Sequence, residues 1–156
     1  MKKLSVLFSI FAVLMAVTFT SCDQSSKMEP FTKDMIGEWM IGTWDVENVG
    51  KTVVAGVETE LKTQGSYEIK GIEDDSDVIS TTIISGVETS GTVKFSMVKD
   101  ILFLAKNSSI ETEGIKMEYS LEVNKPRTKI VANASGKGEV LGFTTETVST
   151  STWTKR

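Results

Sequence analysis

Hydrophobic and polar residues change their period along this chain. Residues 4–19, LSVLFSIFAVLMAVTF, form an almost unbroken apolar run behind Lys2 and Lys3, and residues 23–31, DQSSKMEPF, have no period at all. Met35, Ile36, Trp39 and Met40 then recur at intervals of one, three and four, which predicts a short helix capped by Thr32 and ended by Gly42. Beyond Gly42 the period is two. Ile115, Met117, Tyr119, Leu121 and Val123 alternate with Lys116, Glu118, Ser120 and Glu122. Val57, Thr59 and Leu61 alternate with Glu58, Glu60 and Lys62, and Val93, Phe95 and Met97 with Thr92, Lys94 and Ser96. Such alternation describes strands with one wet and one buried face, and the abundance of Thr, Ser and Val agrees with it.

The pattern predicts strands over 43–49, 52–63, 65–70, 78–86, 91–98, 101–105, 115–123, 128–134 and 139–154, the last bent at Gly142. Connections this short force neighbouring strands to be antiparallel, because a parallel crossover needs a dozen residues or more. The expected fold is therefore all-β, an antiparallel up-and-down meander behind a short N-terminal helix. To hide its apolar face the meander must fold over on itself, and closure into a barrel would remove the edges that pair with other chains, leaving a monomer. An open β-sandwich would use the same strands. A barrel of about eight strands holds either its own side chains or one small ligand. The inward candidates for such a cavity are Leu61, Phe95, Met97, Phe103, Met117, Tyr119 and Leu121. Their mostly apolar character suits a fatty or aromatic molecule, and equally a filled core.

The N-terminal run changes the picture of where this domain sits. Two lysines before an apolar stretch are the layout of a secretory signal, and a stretch of this length is marginal for crossing about 30 Å of hydrocarbon as a retained anchor. It ends in Phe19-Thr20-Ser21-Cys22 and passes at once into polar sequence. This ending resembles a bacterial lipoprotein lipobox, with Phe19 where a smaller aliphatic residue is usual. The resemblance implies that residues 1–21 are a lipoprotein signal peptide and that Cys22 is acylated and becomes the N-terminus. Residues 22–31 would then be a flexible tether and residues 32–156 the barrel domain. It also implies a cell-envelope protein held to a membrane, the outer membrane being expected, through its lipid alone.

Composition narrows the chemistry. Histidine is absent and Cys22 is the only cysteine, which removes Ser-His-Asp and Cys-His catalysis, imidazole and thiolate metal sites, and internal disulfides. The formal charge is −4, and loss of Lys2 and Lys3 makes the remainder two charges more negative, which argues against nucleic acid. Glu73-Asp74-Asp75-Ser76-Asp77 lacks the spacing and glycine of a calcium loop and reads as a solvated hairpin tip. No cofactor is expected. The other acids lie mostly on the wet phase of strands, so the expectation is that the protein is not an enzyme. Asn107-Ser108-Ser109 and Asn133-Ala134-Ser135 match the glycosylation sequon and are read as turns.

One short motif carries a second resemblance. Gly42-Thr43-Trp44-Asp45-Val46, opening the first strand, resembles the Gly-X-Trp signature of the lipocalin and calycin barrels. Together with the lipoprotein signal it is similar to the small lipocalin-like lipoproteins of Bacteroides-type bacteria. The resemblance implies that Trp44 closes the bottom of the barrel and that a cation near the end of the last strand, Lys155 or Arg156, packs across its ring. A second Gly-X-Trp, Gly37-Glu38-Trp39, falls in phase with the helix and is assigned to it. Three readings of function follow: a lipid-tethered carrier of a small hydrophobic ligand, a tethered module recognising a protein or glycan through its loops, and, third, a carboxylate-dependent enzyme.

Overall fold

The computed structural model describes residues 27–107 and 115–156, so residues 1–21, Cys22 and the turn expected at residues 107–109 lie wholly or partly outside what is described. Eight strands and one helix are described: β1 (Met28–Pro30), β2 (Gly42–Val54), β3 (Val57–Ile69), β4 (Asp77–Ile84), β5 (Val87–Lys94), α1 (Phe95–Asn107), β6 (Ile115–Asn124), β7 (Lys129–Val140) and β8 (Phe143–Lys155). All eight strands form one antiparallel sheet in the order β1-β6-β7-β8-β2-β3-β4-β5. The expected meander is present within β2 to β5 and within β6 to β8. The sheet is nevertheless open, with β1 and β5 as its edges, and not closed into a barrel.

Helix α1 explains the difference. Where strands were expected at 91–98 and 101–105, the chain leaves the sheet after Lys94 and crosses toward β6 as a helix. Phe95, Val98 and Leu102 recur at helical spacing, and all three are buried together with Phe103. This row covers the apolar face at one end of the sheet, the service that closure would have rendered there. Met97 points away from that row and is half exposed.

The core fills one end of the sheet, called here the base. Trp44 and Val46 of β2, Ile69 of β3, Val78 of β4, Leu121 and Val123 of β6, Ile130 of β7 and Trp153 of β8 share one face and pack under α1, Phe31 and Met40. The predicted helix before β2 is instead two single 3₁₀ turns, Lys33–Met35 and Glu38–Met40, because Gly37 between them is fully extended (φ −167°, ψ −179°). Part of the expected tether also belongs to the fold. Met28–Pro30 pairs with β6, and Phe31 is buried against Trp39 and Phe103, at centroid distances of 5.5 and 5.1 Å.

Three hairpin tips stand together at the opposite end. Ala55-Gly56, Ser85-Gly86 and Leu141-Gly142 are two-residue turns with φ near +51° at the first position and +80° to +82° at the second. Positive φ at both positions is the type I′ geometry that matches strand twist, and glycine relieves the second. Residues 50–51, left between the strands expected at 43–49 and 52–63, and Asn133-Ala134-Ser135, read as a turn, are strand interior instead. At Gly65 the backbones of β3 and β4 approach so closely that a Cβ would lie 2.1 Å from the Thr81 carbonyl oxygen.

Candidate functional site

The base is built around two indoles. Trp44 is fully buried, and its Nε1 donates to the Met40 carbonyl at 2.8 Å. Trp39 meets it edge-on at 5.9 Å, donates its own Nε1 to Met35 O at 2.7 Å, and lies 5.2 Å from the Arg127 guanidinium. Lys155 is the cation over Trp44. Its Nζ lies 5.8 Å from the ring centroid and donates to the Trp39 carbonyl at 2.5 Å. Arg156 turns to the other face and grips Asp45, Nε donating to both carboxylate oxygens at 2.9 Å and Nη2 to Oδ1 at 2.6 Å. Those hydrogen bonds hold the Asp45 carboxyl below its usual pKa. The sequence left Lys155 and Arg156 as alternatives for one role; the register of β8 on β2 gives them different faces and different partners.

Above the base, on the same face as Trp44 and Val46, the sheet forms an uncovered groove of about 300 Å³. Its walls come from the part of the sheet where β3, β2, β8, β7 and β6 run side by side. Asn48 and Gly50, Leu61 and Thr63, Ser149 and Ser151, Ala132 and Ala134, and Tyr119 line it. Small residues on β7 and β8 make the hollow, and Leu61 and Tyr119 supply its apolar bulk. Asn48 Nδ2 donates to Thr63 Oγ1 at 3.1 Å. Below Ser151, Trp153 donates its Nε1 to the Ser151 hydroxyl at 3.0 Å and stacks on Tyr67 at 4.7 Å, 9° from parallel. A single apolar molecule lying on β7 and β8 would meet methyl groups, one phenol ring and a row of hydroxyls.

The seven sequence-predicted cavity residues do not share one place. Leu61 and Tyr119 line the groove. Met117 is on the same face farther from the base, opposite Gly136, and a Cβ on that glycine would lie 2.2 Å from its sulfur. Leu121, Phe95 and Phe103 are core residues outside the groove, the last two on α1, while Met97 lies on its exposed side. Among the groove residues that sequence reasoning missed are Gly50, Ala132, Ala134, Ser149 and Ser151, whose small side chains leave no hydropathy signal.

Two further features flank the groove. A polar hollow of about 560 Å³ on the other face is lined by Asp45, Glu47, Gln64, Ser66, Thr152 and Arg156 among others. Glu47 pairs there with Lys62 at 2.5 Å and Asp45 with Arg156, and Glu88 adds a further carboxylate to its lining. The three hairpin tips expose Val54, Val57, Ile84, Val87, Leu141 and Phe143, with Leu141 at 92% exposure in a left-handed conformation that leucine rarely adopts. A repeat in the sequence marks these tips: Gly56-Val57-Glu58-Thr59 and Gly86-Val87-Glu88-Thr89 are identical, and Gly142-Phe143-Thr144-Thr145 follows the same pattern. The acidic turn at 73–77 is tied to its surroundings by Asp74 pairing with Lys99 and Asp77 with Lys94 at 2.7 Å. Among the described residues no three acids gather as a metal site and no helix is long and apolar enough to cross a membrane. Comparison of the chain with models of known families, with curated proteins and with solved structures finds no match.

Proposed function

We propose that this chain is a lipid-anchored cell-envelope lipoprotein whose open, lipocalin-like sheet binds or carries a small hydrophobic ligand in the groove above Trp153. The observation that carries the reading is the groove itself: an apolar hollow with hydroxyl edges, left uncovered beside a base that is packed to completion. About 300 Å³ is the lower end of the range for ligand pockets, so the ligand is a single chain or ring system rather than a bulky conjugate. The lipobox resemblance supports the anchor. Lys27 enters the fold at the base, where its carbonyl accepts a hydrogen bond from Lys125 N at 3.4 Å. The five steps along the chain from Cys22 to Lys27 reach at most about 18 Å. Acylation at Cys22 would therefore hold the base near the membrane and turn the hairpin tips away from it.

The test is titration of the chain, without residues 1–21, with fatty acids and with retinoid-like and bile-acid-like compounds while indole emission is followed. Saturable quenching in the micromolar range is expected, because an uncharged small ligand has few atoms to contribute. The quenching should vanish in Trp153→Phe, which removes the reporter, while uptake of a radiolabelled ligand persists. Ala134→Phe should fill the groove and abolish both. Failure of every ligand, with Ala134→Phe folded, would overturn the carrier reading. The exposed apolar tips favour the alternative, a tethered module that recognises a protein or glycan through its loops.

A further inference from the structure

The two edges of the open sheet are treated differently. β1 is three residues long and ends in Pro30, which has no N–H to offer, so pairing there stops almost at once. β5 runs eight residues, Val87–Lys94, without proline, and residues 87–92 are all exposed. Phe95 N donates to Ser76 O at 2.9 Å, so main-chain groups at Phe95 face β4, and by alternation those at Val93, Gly91 and Thr89 do so as well. The N–H and C=O groups of Glu88, Ser90, Thr92 and Lys94 therefore point outward along an edge that no strand covers among the described residues.

We infer that this edge pairs with β5 of a second copy of the chain, antiparallel about a two-fold axis through Gly91. The chemistry selects the partner. Glu88 and Lys94 stand three residues either side of Gly91 and project on the same face, opposite to that of Val93. Turned about Gly91, the strand sets Glu88 against the partner's Lys94 and the partner's Glu88 against Lys94. The same register sets Ser90 opposite the partner's Thr92. All of these are outward-pointing residues, so each pair exchanges two backbone hydrogen bonds. Lys94 already donates to Asp77 Oδ1 at 2.7 Å and Asp75 O at 2.8 Å, and the third ammonium proton remains for the incoming carboxylate. Gly91 lies on the axis, where a non-hydrogen-bonded antiparallel pair brings Cα atoms to about 4.5 Å, and nothing lies within 4 Å of where its Cβ would be. The contact is isologous, and it joins the two open sheets into one.

That separation is within the reach of a disulfide, which gives the test. In envelope fractions of cells making the full chain, Gly91→Cys should yield a covalent dimer on non-reducing gels under mild oxidation. The parent chain, which has Cys22 alone, should yield none, and Ser90→Cys, two steps out of register with its own copy, should yield at least tenfold less. Adding Glu88→Lys to Gly91→Cys should cut the cross-link at least tenfold, and adding Lys94→Glu as well should restore it. Sedimentation of each variant should follow the same order, with circular dichroism reporting that the folds are intact. A chain that stays monomeric at every concentration and does not cross-link through Gly91→Cys overturns the inference. So does a dimer that cross-links equally through Ser90→Cys or ignores Glu88→Lys, since it would use another surface.

Discussion

Removal of the Trp44 indole tests how the base is held. Trp44→Ala takes a fully buried side chain out of a site whose walls cannot close in. Trp39 is pinned by Met35 O and Arg127, and Lys155 by the Trp39 carbonyl. Large-to-small changes of buried aromatics cost about 3–5 kcal/mol, and a site that cannot collapse belongs at the upper end. The Met40 carbonyl also loses its donor, and Trp44→Phe, which keeps most of the volume, should isolate that loss at about 1–2 kcal/mol. Trp39 is only half buried, so Trp39→Ala should cost about 2 kcal/mol. Urea unfolding followed by far-ultraviolet circular dichroism measures this without relying on the indoles. With a slope of about 2 kcal/mol per molar urea, Trp44→Ala should lower the midpoint by about 2 M and Trp39→Ala by about half as much. Equal losses, or a larger loss at Trp39, would refute the assignment of Trp44 as the centre of the base.

Other outcomes follow from single contacts. Gly65→Ala drives a methyl group to 2.1 Å from the Thr81 backbone oxygen, whereas Gly136→Ala meets the Met117 and Ile115 side chains first and backbone only at 3.2 Å, so thermal denaturation should show the larger loss at Gly65. Arg156 holds Asp45, and Lys94 holds Asp77, below the usual carboxyl pKa. A depressed folded pKa gives stability that is complete above the unfolded value and is lost as pH falls through the folded one. The melting temperature should therefore hardly respond to these groups between about pH 5 and 8 and should fall below about pH 4. Asp45→Asn should flatten that acid limb, and an unchanged limb would show that the pair is not coupled to folding. Cys22→Ala should abolish incorporation of labelled palmitate, and unchanged labelling would end the lipoprotein proposal.

The antiparallel β character was legible because burial on one face imposes a period of two, and β6, with its five alternating apolar positions, shows it best. Helix α1 was hidden by an accident of phase: Val93, Phe95 and Met97 continue the alternation of β5 into residues that fold as helix, while Phe95, Val98 and Leu102 carry the competing period. The hairpin tips were partly hidden because valine, isoleucine or phenylalanine flanks each turn, so Ala55-Gly56 read as strand interior, Ser85-Gly86 as a strand end and Gly142 as a bend in one strand. Gly-Val-Glu-Thr at two of the three was the signal to follow. The groove was half legible. Leu61 and Tyr119 announce themselves by hydropathy, but a hollow is made by what is missing, and Gly50, Ala132 and Ala134 look like nothing in particular along a chain.

The strand order also bears on how the molecule comes into being. β8 and β2 lie side by side at the middle of the sheet, yet they come from opposite ends of the folded region. Until Phe143–Lys155 has been synthesised, β2 has one bare side, Trp44 lacks the lysine above it, and Trp153 is missing from the core. The hairpins can form early, since each needs only local contacts, but the two halves of the sheet cannot join before the last strand arrives. Synthesis from the N-terminus thus leaves the core incomplete until β8 has been made, unlike proteins whose N-terminal units fold as they emerge. On the export route proposed above, that delay would keep the sheet from locking shut while β8 is still being made.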